Sequence, residues 1–418
     1  MKRPKKIFYG WWIVLAGMIN FMLSGCMYTY GFSAFFLPIS NEFGWSRAVM
    51  SAPIGVSRLE GALLGPVEGY MVDKFGPRKL MFFAAILVGT AFVLMSRMQS
   101  LLMFYLVFLV CLGLGTGLMS AAVQVAVVNW FQKRRGLGLG ISMGGINLGA
   151  MATPVVVWLI ATRGWRGAAF IIGLIMWAVQ IPLSLVLRHR PEPYGYLPDN
   201  MSEQQEKVVE APSKRESAIV EQNFTPRQAI RTRTFWLLCI AYGSRMLTVA
   251  AIPLHLIPFI QDLGFSAATG GSVMAIMGFS ALIGRISVGY LADIVPKRYA
   301  FAICMTVMGI SVLFLSTAQS VWQLVLWAVL YGPGYGGGSP VMGAMIGDYY
   351  GRKSFGTING VIHIPMAVTT LIGPVFAGYI FDVTGSYRPA FIFFAAVSVI
   401  GILAAILARR PHLSFTQT

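Results

Sequence analysis

Charge is what this sequence has least of. Asp, Glu, Lys and Arg make up 11% of its 418 residues, and only 15 residues are acidic. A soluble domain usually carries about 25% charged residues. With 56% hydrophobic residues and a mean hydropathy of +0.70, a soluble fold is excluded on composition. Cysteine and histidine are scarce as well, at four each. Cys26, Cys111, Cys239 and Cys304 all fall inside apolar segments without Cys-x-x-Cys spacing, so neither a disulfide nor a metal site is expected. The chain has no Gly-Lys-Ser/Thr phosphate loop, no His-Glu-x-x-His and no cluster of acids or histidines at metal spacing. No enzyme and no cofactor is expected. The excess of base, +17, is spread through short loops, with no basic face or aromatic-interleaved patch, which argues against a nucleic-acid partner.

What fills the chain instead is long apolar runs. A hydrocarbon core of about 30 Å needs about 20 apolar residues, and twelve spans qualify: 10–37, 48–71, 79–96, 101–128, 137–161 and 167–187, then 235–260, 269–292, 299–316, 321–347, 355–381 and 388–408. Residues 1–187 and 234–418 form two halves, and the polar stretch 188–233 reads as a soluble connector. The start resembles a signal peptide, but its apolar run reaches Leu37 and lacks a small-residue cleavage site, so it reads as the first span. Lys and Arg concentrate in the N-tail, in the loops at Lys74–Lys79, Lys133–Arg135, Lys297–Arg298 and Arg352–Lys353, and in the C-tail. The opposite loops hold Arg47, Arg97, Arg163, Arg166 and Arg388. The positive-inside rule then places both termini and the connector in the cytoplasm, with the protein integral to an inner (plasma) membrane.

The halves echo each other. Gly69-Tyr70-Met71-Val72-Asp73 returns as Gly289-Tyr290-Leu291-Ala292-Asp293, and the same offset of 220 pairs Gly44 with Gly264, Lys133 with Lys353, Gly136 with Gly356, Gly140 with Gly360 and Pro154 with Pro374. Two like halves around one site are the design of a rocking transporter. Asp73, Lys74, Arg78, Asp293, Lys297 and Arg298 are gating candidates, because they form charge-assisted bonds at span ends that break when the halves move; an ordinary basic loop is the plainer reading. Gly61, Gly65 and Gly69 in the second span form a small-x-x-x-small stripe expected to pack on a neighbouring helix. Arg58 shares that face, and it and Glu60 are explained by pairing, by snorkelling or by a direct role.

Charge inside the membrane is expensive and points to function. Arg285 is the best case, about 12 Å below Asp293 and so near the midplane, with no acid between Ala281 and Gly289. Its planar fork suits a carboxylate. Arg245, also near mid-depth, reads equally as a second anion ligand or as the ion-pair partner of Glu60 or Glu68. His363 lies at a depth like that of Arg285 and, with Glu68 and Glu60, is a candidate for proton coupling; a histidine bonded to a neighbour is an equal alternative, and His255 reads as structural. In the tenth span, Tyr331-Gly332-Pro333-Gly334-Tyr335-Gly336-Gly337-Gly338-Ser339-Pro340 implies a soft or broken helix beside a cavity, with Tyr331 and Tyr335 closing over a ligand. Tight glycine packing is the alternative. Gln124 and Asn147 complete a polar lining or make interhelical bonds.

The repeated Gly, Asp, Gly and Arg/Lys spacing resembles the signature loop of the major facilitator superfamily. Trp130-Phe131-Gln132-Lys133-Arg134-Arg135-Gly136-Leu137-Gly138-Leu139-Gly140, continuing to Gly144, Gly145 and Gly149, resembles the fifth-helix signature of the monocarboxylate transporter family, and Tyr9-Gly10-Trp11-Trp12 its first-helix signature. The resemblance implies an all-α membrane protein with twelve transmembrane helices in two pseudo-symmetric six-helix bundles. It also matches Arg285 to an eighth-helix arginine that binds the substrate carboxylate. Animal members place an acid where this chain has Ala281 and a lysine near Tyr30, while oxalate exchangers have a second cation near Met366. A lone carboxylate therefore fits better than a dicarboxylate. The expected function is secondary transport of a small lactate- or pyruvate-like monocarboxylate with a proton, by alternating access in a lipid bilayer. An oxalate/formate-type exchanger and a non-transporting membrane sensor are the alternatives. The sequence assigns no accessory subunit.

Overall fold

A computed structural model describes residues 8–131, 134–197, 224–351 and 355–411. Among them the regular structure is helical: α1 (Gly10–Ser24), α2 (Phe32–Phe43), α3 (Arg47–Phe75), α4 (Pro77–Ser96), α5 (Leu101–Leu106), α6 (Leu114–Trp130), α7 (Arg135–Met151), α8 (Thr153–Val186), α9 (Pro226–Ile230), α10 (Arg233–Asp262), α11 (Ala267–Ile294), α12 (Lys297–Leu315), α13 (Val321–Tyr350), α14 (Phe355–Thr384) and α15 (Arg388–Leu407). π-Helical turns bridge α1 towards α2 and join α5 to α6, so each pair reads as one span. Gly164, at φ 67°, divides α8 into two helices. Among the described residues nine helices are long and apolar enough to cross a membrane. α3 and α13 are as long yet fall outside that set; one carries Arg58, Glu60 and Glu68 and the other the Gly-Pro-Tyr run.

The helices gather into two units, each discontinuous in sequence. The first draws on residues up to Tyr28, on Leu63–Gly149 and on the stretch from Leu159. Its α1–α7 contact is built on glycine: a Cβ on Gly145 would lie 2.1 Å from the Met18 carbonyl oxygen, and one on Gly149 2.4 Å from that of Met22. The two signature segments meet at one end of this contact. The Phe8 ring stands 5.7 Å from Trp130 and 5.6 Å from Phe131, Tyr9 lies 5.2 Å from Trp130, and Trp11 lies 5.1 Å from Phe131.

The second unit holds Thr29–Ala62, Ala150–Trp158 and the described residues from Phe224 on. Both copies of one repeated turn lie in it. Gly44 and Gly264 adopt φ of 67° and 87°, a region closed to most side chains. Trp45 N–H donates to the Ser40 carbonyl and Phe265 N–H to that of Ile260, each at 3.2 Å, the six-to-one bond that ends a helix on glycine. One residue on, the hydroxyl of Ser46 accepts from Val49 N–H and that of Ser266 from Thr269 N–H, starting α3 and α11 alike. The 220-residue echo is therefore a repeat of backbone geometry. It lapses at the next residue, where Arg47 stands opposite Ala267 in the offset, and resumes at Gly69 and Gly289.

Prolines inside these spans delete a backbone N–H and orphan the carbonyl four residues earlier. Two of those carbonyls are satisfied from a different helix. Ser280 Oγ of α11 donates to Val329 O at 2.8 Å, the carbonyl freed by Pro333, and Ser33 Oγ of α2 donates to Leu254 O at 2.7 Å, freed by Pro258. With that repair α13 runs unbroken from Val321 to Tyr350. The tenth span, expected to be soft or broken, is continuous, and at Val329 a neighbouring hydroxyl replaces the missing bond.

Candidate functional site

The contact between α11 and α13 sets the site. A Cβ on Gly336 would lie 1.9 Å from the Ala281 carbonyl oxygen, one on Gly284 2.1 Å from Pro333 Cα, and one on Gly332 2.6 Å from Ser280 Cβ. No side chain other than hydrogen fits between these backbones, so the glycine run is a packing face. It brings Arg285 of α11 beside the tyrosines of α13. Tyr331 is fully buried and stacks on Trp327 at 5.0 Å, with Tyr335 5.7 Å further on. The Tyr335 hydroxyl shares a 2.9 Å hydrogen bond with that of Tyr30, and both lie within the electrostatic reach of Arg285.

Two arginines share this region of the second unit, and Arg285 feels the charge of Arg245 directly. Arg245 is 1% exposed; it donates from Nη1 to Ser339 Oγ at 3.1 Å and from Nη2 to the Tyr335 carbonyl. Its remaining nitrogen, Nε, is packed where a Cβ on Gly338 would be. Among the described residues neither arginine has an ion pair, and the Nε of each is buried without a hydrogen bond. Of the two readings of Arg245, its pairing with Glu60 is not found among the described residues. Glu60 keeps a buried oxygen without a partner, and Glu68 packs in the first unit against Gly117 of α6. A guanidinium with no acid partner among the described residues, beside hydroxyl groups, has the chemistry to receive an anion.

His363 of α14 borders the same region. Its Nδ1 donates to the Asn359 carbonyl at 2.7 Å, which fixes that tautomer and leaves Nε2 with the lone pair, and its ring stands 6.1 Å from that of Tyr242. Tyr242 in turn lies 5.8 Å from the Arg245 guanidinium. Gln124 and Asn147 belong to the first unit. Gln124 donates to Ser120 on its own helix at 2.9 Å; Asn147 is buried with its Nδ2 unpartnered.

Comparison with known proteins accords with this architecture. The family model described as Major Facilitator Superfamily matches residues 13–293 and again 234–417. The chain belongs to the major facilitator superfamily. Among curated relatives, monocarboxylate transporter 13 of Rattus norvegicus is 26% identical over 411 residues, covering 97% of this chain and 89% of its own. Monocarboxylate transporter 2 of Homo sapiens is 25% identical over 409 residues, covering 94% and 83%. Among solved structures, a bacterial homologue of the human lysosomal transporter Spinster, inward-facing and occupied, matches with a TM-score of 0.74 at 14% identity over 99% of this chain and 98% of that one. This facilitator is therefore an integral membrane transporter, in a family that is not an enzyme class, and its curated relatives here are monocarboxylate transporters.

The gating candidates separate. Lys297 at the start of α12 pairs with Asp348 at the end of α13, and Arg298 donates to Tyr299 Oη at 3.0 Å. Lys74 sits beside the rings of Tyr70 and Phe75, at 5.8 and 5.5 Å, while Asp73 and Arg78 are exposed. The side chains of Asp293 and Arg58 lie outside the described residues. The glycine stripe of α3 differs from expectation: among the described residues a Cβ on Gly61, Gly65 or Gly69 would meet nothing within 4 Å. Spacing alone does not say which glycine face has a neighbour.

Sequence reasoning missed the most heavily bonded polar cluster, at the end of the second unit away from Lys297. Arg47 forks onto Asp262 at 2.6 and 2.7 Å and donates to Tyr387 Oη at 2.7 Å. Its guanidinium lies 3.5 Å from the Phe381 ring centre. Asp382 of α14 accepts the backbone N–H groups of Arg47 and Ala48, both at 2.9 Å, and so caps α3. Arg47 read as a loop charge; its place where the repeat breaks was the available signal.

Proposed function

We propose that this facilitator carries a small monocarboxylate, of the size of lactate or pyruvate, together with a proton by alternating access. Arg285 receives the carboxylate, and the hydroxyls of Tyr30 and Tyr335 lie beside it. The observation that carries this reading is a half-buried arginine with no acid partner among the described residues, next to a hydroxyl pair. The names of the curated relatives support the same substrate class. Arg245, spent on Ser339 and Tyr335, adds positive potential and holds α13 in place. His363 is the proton acceptor we favour, since its Nε2 bears the lone pair and Tyr242 links it to Arg245. The Lys297–Asp348 pair and the Asp73 loop belong to the closing cytoplasmic end, with both termini cytoplasmic and the protein in the inner (plasma) membrane.

The test is uptake of labelled lactate and pyruvate by proteoliposomes under an imposed proton gradient. Arg285→Ala should insert normally and lose uptake, and Arg285→Lys, which keeps charge but not the fork, should recover only part. Full uptake by Arg285→Ala removes the assignment. Counterflow that needs internal anion and ignores the proton gradient would replace symport by exchange.

A further inference from the structure

We propose that the cluster around Arg47 is the outer latch of the transport cycle and that His255, inside it, is the site where external protons act on that cycle. The proposal rests on the transport reading and the orientation above, but not on Arg285. The latch joins four elements of one unit: the first turn of α3, the last turns of α10 and α14, and the residue that starts α15. Arg47 is clamped by Asp262, Asp382 holds the α3 amides, and the Arg47 backbone is packed so closely on α14 that a Cβ on Gly378 would lie 2.7 Å from it.

His255 has no exposure, and its hydrogen bonds determine its protonation. Nε2 lies 2.9 Å from the Pro374 carbonyl oxygen, which can only accept, so Nε2 carries the hydrogen. Ser51 Oγ, 3.2 Å from Nε2, spends its own hydrogen on Arg47 O at 2.7 Å and so accepts from Nε2 as well. Nδ1 is then the lone-pair nitrogen and takes the hydrogen of Tyr387 Oη at 2.9 Å, whose oxygen receives Arg47. The histidine of the closed latch is neutral. A second proton at Nδ1 would turn the Tyr387 hydrogen away and leave imidazolium and guanidinium donating to one hydroxyl oxygen. The charged or titratable groups facing His255 are Arg47 from α3, Asp262 from its own helix, Asp382 from α14 and Tyr387 from the start of α15; α2 offers only the Phe36 ring, at 5.2 Å. The two carboxylates are already bonded to Arg47 and to the α3 amides, so neither is free to receive the imidazolium. Acid outside therefore favours the open latch.

Ser33, bonded to Leu254 about 12 Å below Asp262, reports on the latch. A Ser33→Cys reporter, with the four native cysteines replaced, is labelled in intact cells with a membrane-impermeant maleimide, and each rate is divided by that of an exposed Gln319→Cys reference at the same pH. Arg47→Gln and Asp262→Asn should each raise the normalised rate roughly tenfold or more, the first by removing the clamp and the second by stranding the buried Arg47 guanidinium. Lowering the external pH from about 7.5 to about 5.5, across the ordinary histidine range, should raise it several-fold in the parent and not in His255→Gln, which stays neutral. Unchanged labelling in Asp262→Asn, which keeps the shape of the clamp should Arg47→Gln misfold, overturns the latch. A pH response that survives His255→Gln overturns the proton site. No substrate is present, so a failed uptake assay leaves either result readable.

Discussion

Two arginines of the same unit, Arg47 buried and Arg285 half-buried, are treated in opposite ways. Arg47 has a bidentate carboxylate, a phenol and an aromatic face, and its own amide is capped by a second acid. Arg285 has a neighbouring arginine, nearby phenols and a buried Nε without a partner. With only 15 acids in 418 residues, spending two on Arg47 and none on Arg285 separates their tasks. The first charge is neutralised by the protein and fastens helices. The second, on the proposed function, is left for an anion that arrives from outside.

That contrast can be broken. The largest effect is expected from Arg285→Ala: losing charge-assisted bonds of about 1.5–3 kcal/mol lowers substrate affinity roughly tenfold to a hundredfold, read as a binding isotherm or uptake, with little change in thermal unfolding. Asp262→Asn should do the reverse, lowering the unfolding temperature in detergent while a bound carboxylate is still recognised. Gly336→Ala comes next. Its Cβ would meet the Ala281 carbonyl oxygen at 1.9 Å, so overpacking costs about 1–3 kcal/mol and disturbs the tyrosines beside Arg285. Ser280→Ala leaves Val329 O without its donor, a loss of about 1–3 kcal/mol, seen as earlier melting. Gly65→Ala should be smallest, within about 0.5 kcal/mol, since nothing lies within 4 Å.

Much of this was legible in the chain. Apolar runs and the 220-residue echo carry the helices and the repeated glycine turns, because both are local: hydropathy sets a span, and a left-handed residue sets a turn. Arg285 drew attention because no acid lies between Ala281 and Gly289 on its helix. Arg47 was not, since Asp262, Asp382 and Tyr387 are more than 200 residues away in sequence and only the fold brings them to it. The glycines of α3 and α13 share a pattern and differ in surroundings, as do the histidines: His255 is bonded at both ring nitrogens, whereas His363 bonds its own helix. Periodicity reports a face and leaves its neighbour unnamed.

The hydroxyl of Ser280 on the carbonyl of Val329 gives the protein an internal ruler. In an unbroken helix a carbonyl's partner travels with it, so its vibration is blind to neighbouring helices. Pro333 has handed that role to α11. An isotope-edited carbonyl at Val329 would thus report, in its infrared frequency, each separation of α11 from α13 during turnover, without a dye or a spin label.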